Sequence, residues 1–391
     1  MRKAHPQRRT RLLCTAAITL AATAMVAGAT AAALSASAVN GAGRPKVSAQ
    51  SASPVTSPWL ATTSVPYVAV VGNHLVNAAG QTIRLLGIDR SGTEFECIQG
   101  DGIFDGPHSA TSVKAMTRWG IDAVRLPLNE DCWLGINGVK PAYGGVAYKE
   151  AIAGYVKTLQ SFGLVVILDL HWNAPDTTPA TGQQQMADAS HSPAFWASVA
   201  TYFKNNHGVI FDLYNEPQGI SWNCWLHGCK SSTGWQIAGM QSLVDAVRST
   251  GATQPLMLGG IGWAGDLGGW LAHEPTDPLH QLVASFHNYN FGPCATAACW
   301  TSMVAPVAKV IPVVTGEMGE NDCADGYIDS YMTWADANGI SNLGWTWNST
   351  SDGWTCTGGP SLIQSYSGTP TGFGVGLRDH LQALDAGVRG R

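Results

Sequence analysis

Charge is scarce in this chain. Only 13% of its residues are charged, and the formal net charge is −5. Beyond the first dozen residues there is no basic cluster, which excludes nucleic acid and anionic membrane surfaces as partners. Other signals are missing as well. No Gly-x-Ser-x-Gly elbow occurs, so an esterase-type serine hydrolase is disfavoured. The first apolar strand leads into Asp89-Arg90-Ser91-Gly92-Thr93, which is not the glycine-rich loop that cradles phosphates. No cysteine pair has C-x-x-C spacing, and His227 near Cys224 and Cys229 is isolated, so no metal or other cofactor is expected. Past residue 34 no run is long and apolar enough to span a bilayer, and no solenoid repeat appears.

What is abundant is uncharged. Hydrophobic residues make up 45% of the chain, enough for a sizeable core, with 45 glycines and 15 tryptophans. Aromatic faces and neutral polar side chains suit a neutral ligand such as a sugar. At the start, Arg2, Lys3, Arg8, Arg9 and Arg11 precede an apolar, alanine-rich stretch, and Ala36-Ser37-Ala38 offers a cleavage site. Residues 1–38 are therefore expected to be an export signal. Residues 39–64, rich in Ser, Ala and Pro, read as a flexible leader, and 65–391 as one folded body. After signal removal the protein is expected outside the cell, off the membrane and as a monomer.

Cysteine usage fits export. Cys14 leaves with the signal and eight remain, an even set that reads as disulfides. Cys224 with Cys229 and Cys294 with Cys299 are local staples, and Cys97 with Cys132 and Cys323 with Cys356 complete the simplest pairing. Other connectivities stay open.

From Val65 a small hairpin, Val68 to Val76, could close the bottom of a larger body. After it, apolar strands alternate with helical stretches. The strands begin at Ile83, Ala123, Leu164, Gly208, Pro255, Leu282, Val310 and Asn342, and helices are predicted at 109–119, 146–162, 193–206, 233–250 and 325–338. Strands apolar throughout are buried on both faces, as in a parallel sheet. Eight such units predict an α/β fold, a (β/α)8 TIM barrel, with an open doubly wound sheet as the rival.

In a barrel of this kind the functional face is the carboxyl end of the strands. Reading those ends gives Arg125, His171, Asn215, Glu216, His287, Tyr289, Glu317 and Trp347. Tyr214-Asn215-Glu216-Pro217 closes the fourth strand, where proline stops the ladder. Glu317 closes the seventh. Two carboxylates converging on one sugar are what glycoside cleavage requires. Glu216 is assigned as the general acid/base and Glu317 as the nucleophile, with Arg125 as the cation available to keep it ionised. Glu320 competes for the second role but lies further into its loop. Asp169 and Asp212 fall inside strands and read as buried hydrogen-bond partners. His171 and His287 could be plain core histidines.

Here the chain resembles glycoside hydrolase family 5, the retaining family that includes many cellulases and mannanases. The resemblance rests on Gly87-Ile88 with Ser91-Gly92, then Val124-Arg125-Leu126-Pro127, Asp169-Leu170-His171 and Tyr214-Asn215-Glu216-Pro217. Phe286-His287-Asn288-Tyr289, Gly316-Glu317-Met318-Gly319 and Gly344-Trp345-Thr346-Trp347-Asn348 follow in the family's order. Met318 and Trp172 depart from the commoner residues at those positions. The resemblance implies the same two glutamate roles. It also implies that Asn215 binds the 2-hydroxyl, Tyr289 touches the nucleophile and Trp347 forms the sugar platform. Trp133, Trp172, Trp222, Trp225, Trp263, Trp300 and Trp354 lie in loops where rings can stack on a glycan or merely pack. The expected activity is endo-hydrolysis of a β-1,4-glucan. The alternatives are a β-mannan or β-1,3-glycan, exo action, or a non-catalytic glycan-binding barrel.

Overall fold

The computed structural model describes residues 66–357 and 359–389. The expected signal, the leader and Val65 lie outside the described residues. Eight parallel strands close into a barrel in chain order. They are β1 Leu86–Asp89, β2 Ala123–Asn129, β3 Val165–Trp172, β4 Val209–Asp212, β5 Leu256–Gly259, β6 Leu282–Tyr289, β7 Val313–Gly319 and β8 Ser341–Gly344. β8 pairs back onto β1 through Asn342 with Leu86. The expected (β/α)8 barrel is therefore the observed architecture.

Alternation along each strand divides two apolar layers. Val124, Leu126, Val166, Leu168 and Phe211 belong to the larger core, which includes the helices at Val146–Ser161, Ser192–Phe203 and Gly326–Ala337. Ala123, Val165, Ile210, Val283, Val314 and Leu343 form a separate cluster inside the barrel. Val68, Val70, Leu75 and Leu85 join that inner cluster. The strands Ala69–Val71, His74–Val76 and Thr82–Ile83 form a three-stranded antiparallel sheet, so the hairpin read from the sequence does close the amino end of the barrel.

Two elements differ from expectation. The strand predicted from Ile83 to Ile88 is split, because Thr82–Ile83 pairs with the small sheet and Leu86–Asp89 with the barrel. The helix predicted from Thr233 begins only at Met240. Gly234 has φ 98°, and Lys230 bridges Gln236, so the segment before Gly239 turns back on itself.

All four expected disulfides are formed: Cys97–Cys132, Cys224–Cys229, Cys294–Cys299 and Cys323–Cys356. Each cysteine follows the carboxyl end of a barrel strand, so every bridge braces that end.

Candidate active site

One layer above the aliphatic floor, the inward positions become charged. Arg125 lies two residues past Ala123 on β2 and is fully buried. Its Nε donates to Asp212 at 2.8 Å, and Nη1 donates to Asp89 at 3.1 Å and to Glu317 at 2.8 Å. Nη2 donates to the Asn215 side-chain oxygen at 2.7 Å and lies 3.1 Å from Asp169. One guanidinium thus faces four carboxylates. Burial pushes Asp89 and Asp212 well above the carboxylate range, more than Arg125 pulls them down. Asp169 and Asp212 are the buried partners expected. Asp89, read only as part of a polar loop, completes the ring.

Glu317 reaches this ring through an irregularity in β7. Thr315 pairs in register with Phe286, but His287 pairs with Glu317, so Gly316 is an extra residue. Thr315 faces outward, its hydroxyl on that of Tyr331. In a regular strand Glu317 would share that face, and the bulge turns it inward instead. Glycine suits the bulged position because a Cβ there would lie 3.0 Å from Met257 Cε and 3.1 Å from His287 Nε2. Glu317 also accepts from the Tyr289 hydroxyl at 2.6 Å. Burial, and next the Glu317 charge, push the Tyr289 phenol well up, so it remains a donor.

Glu216 lies past the end of β4, not at the tip of the ladder as the sequence suggested. The chain beyond Asp212 stays extended, because Leu213 N–H donates to Met257 O at 2.9 Å and Asn215 N–H to Leu170 O at 3.1 Å. The Glu216 carboxylate pairs with His287 Nδ1 at 3.0 Å, and the same nitrogen is 3.6 Å from Glu317. An oxygen of Glu216, an oxygen of Glu317 and a ring nitrogen of His287 all lie within 4.8 Å of one another. Burial raises Glu216 to about 7, against the pull of His171 and Arg125. Burial lowers His287 to about 4, so it is neutral at pH 7. His171 faces the same burial, but Asp169 at 2.7 Å outweighs it and its pKa is raised.

Asn215 is fixed twice, accepting from Arg125 and donating to Gln183 at 2.8 Å. Arg125, His171, Asn215, Glu216, His287, Tyr289 and Glu317 are therefore brought together. Glu320 is not, because its carboxylate accepts from Tyr327 N–H in the first turn of the helix Gly326–Ala337.

Trp347 is a correction. It is fully buried, its ring 4.7 Å from that of Trp119, and presents no face to a ligand. The partly exposed ring is Trp345, the first residue past β8, joined to Thr346 by a cis peptide bond and stacked 5.5 Å from His171. Its place one residue beyond Gly344 was the available signal. Among the loop tryptophans, Trp133, Trp225 and Trp300 are buried, whereas Trp172, Trp222 and Trp354 are partly exposed. Trp263 is half exposed, and its N–H donates to the Pro217 carbonyl at 3.0 Å.

The family model described as Cellulase (glycosyl hydrolase family 5) matches residues 76–351. The chain is 28% identical over 227 residues to the "Manganese dependent endoglucanase Eg5A" of Phanerodontia chrysosporium, covering 54% of each. It is 26% identical over 200 residues to a mannan endo-1,4-beta-mannosidase of Streptomyces lividans, covering 49% of this chain and 48% of the relative. It thus spans about half the length of these curated relatives. The solved beta-glucanase SdGluc5_26A from Saccharophagus degradans, in complex with cellotetraose, shares the fold with a TM-score of 0.63 at 18% identity, covering 84% of this chain and 98% of that one. On its motifs, its barrel and the family match, this chain belongs to the cellulase family, glycosyl hydrolase family 5.

Proposed function

We propose that the chain is a retaining β-glycosidase of the cellulase type, acting within β-1,4-glucan chains after export. The observation that carries this reading is the convergence of Glu216 and Glu317, with oxygens within 4.8 Å. Retaining enzymes hold their two carboxyl groups about 5–5.5 Å apart, whereas inverting enzymes leave room for a water.

Glu317 is the nucleophile. Arg125 and Tyr289 each donate to one of its oxygens, which fixes the carboxylate in place. Its carboxylate attacks the anomeric carbon as the glycosidic C–O bond breaks, and the leaving oxygen takes the proton of Glu216. A carboxyl titrating at about 7 carries that proton at neutral pH. In the second half Glu216 takes a proton from water, whose oxygen displaces Glu317 from the sugar. Asn215, pinned by Arg125 and Gln183, presents its amide to the 2-hydroxyl. Trp345 takes over the platform role expected of Trp347.

Glucan is favoured over mannan because the relatives named as endoglucanases outnumber the mannosidase. Export is supported by four disulfides, which persist in oxidising compartments. Among the described residues no helix is long and apolar enough to cross a membrane. Residues 1–38 as signal and 39–64 as leader belong to the same proposal.

The test is a product profile on carboxymethylcellulose, mannan and β-1,3-glucan, comparing wild type with Glu216→Ala. Short oligosaccharides from carboxymethylcellulose, lost in the variant, are expected. Faster release from mannan would replace the glucan assignment. No release from any polymer would favour a glycan-binding barrel.

A further inference from the structure

A second trio of potential ligands lies outside the site just described. Glu130 follows β2 directly, and Asp188 and His191 end the long loop after β3. One ligand atom from each lies within 4.8 Å of the other two. Glu130 and Asp188 are fully buried, while His191 reaches the surface.

Two of the three facing atoms differ from those of an ordinary acidic cluster in having no hydrogen-bond partner, while the third, Asp188 Oδ1, accepts from the His191 backbone N–H at 2.8 Å. Glu130 Oε1 is buried with no hydrogen-bond partner, and so is His191 Nδ1. They are 4.0 Å apart, and the same nitrogen is 3.8 Å from Asp188 Oδ1. These gaps are too long for hydrogen bonds. They are close to the separation of two ligands around one ion, because bonds of about 2.0–2.2 Å set neighbouring ligands roughly 3–4 Å apart. The other carboxylate oxygens are already held. Ser192 Oγ donates to Glu130 Oε2 at 2.5 Å, and Asn173 Nδ2 donates to Asp188 Oδ2 at 2.9 Å. Such outer partners fix the orientation of metal ligands.

We infer that Glu130, Asp188 and His191 form a binding site for one divalent first-row transition ion. The imidazole selects against calcium and magnesium, which prefer all-oxygen shells. Solvent at the His191 edge gives a route of entry. The ion would tie the end of β2 to the loop before the helix Ser192–Phe203. Through Asn173, whose side-chain oxygen accepts from Tyr214 at 3.0 Å, it would also brace the segment leading to Glu216.

The site does not depend on the glycosidase reading, and metal binding tests it directly. The full chain, stripped with a chelator and dialysed, would be titrated calorimetrically with ZnCl2, MnCl2 and CaCl2. One zinc ion per chain is expected, bound more tightly than manganese and about a hundredfold more tightly than calcium. Tm should rise by about 5 °C at a hundredfold excess over Kd. His191→Ala and Glu130→Gln should each weaken zinc binding at least about tenfold and abolish that rise. If buried Glu130→Gln does not fold, His191→Ala at the surface carries the test. The Glu216, His287 and Glu317 trio could also capture an ion, so Glu216→Gln serves as a control. Zinc binding lost in that control but intact in His191→Ala would overturn the inference, as would no zinc binding at all.

Discussion

The two ends of the barrel interior are built from the same strands by opposite means. At the amino end Ala123, Val165, Ile210 and Val314 meet the small sheet below them. Further along the same inward rows, Arg125 follows Ala123 on β2, Asp212 follows Ile210 on β4, and Asp169 follows Ile167 on β3. Burial is complete at both levels. The floor gains from excluding water from apolar surface. The upper layer holds acidic groups gathered on a single guanidinium, with one oxygen each of Asp89, Asp169 and Asp212 left unbonded, an arrangement that costs desolvation. The loops follow the same division, since all four disulfides lie at the carboxyl end. The floor can therefore supply stability and the upper layer can keep a strained charge balance.

Substitutions at each level should separate these roles. Glu317→Gln should lower kcat on carboxymethylcellulose on the order of 10⁴-fold or more, with little change in thermal unfolding. A variant with near wild-type turnover would remove Glu317 from the chemistry. Arg125→Met leaves the carboxylates without their cation and should cost about 3–5 kcal/mol in urea unfolding, with activity lost as well. Leu75→Ala, in the small sheet, should cost about 2–5 kcal/mol while leaving kcat of the folded protein unchanged. Equal effects of these two on kcat would erase the distinction between the ends.

The two tryptophans beyond β8 offer a finer contrast. Trp345→Ala should raise KM roughly tenfold with little loss of stability, as expected for one stacking face. Trp347→Ala should do the reverse, destabilising the fold with KM unchanged. A matching rise in KM in both would return Trp347 to the ligand. The mildest perturbation is pH. With Glu216 at about 7 and required in its protonated form, kcat/KM should fall about tenfold per unit above that value. A flat profile to pH 9 would assign the proton to another group.

Much of this was legible in the sequence because buried parallel strands leave unbroken apolar runs, and their ends could be read for chemistry. Arg125, Asn215, Glu216, His287, Tyr289 and Glu317 all appeared that way. What escaped depends on local backbone geometry that composition does not record. The bulge at Gly316 reverses the parity of β7, and no periodicity announces it. Trp345 and Trp347 are two apart, so simple alternation treats them alike, yet β8 ends before both and the chain separates them. Asp89 looked like a loop residue because its ion partner lies on another strand. The helix expected from Thr233 failed for a related reason: Gly234 and Gly239 permit a reversal that the apolar spacing concealed.

The convergence of Glu216 and Glu317 can be put to proton NMR of the first sugar released by the wild-type enzyme, recorded before mutarotation. Carboxyl groups this close leave no space for an attacking water and require a covalent intermediate on Glu317. The β-anomer should therefore appear first and the α-anomer only as it equilibrates. Initial release of the α-anomer would contradict the double displacement and the roles given to both glutamates.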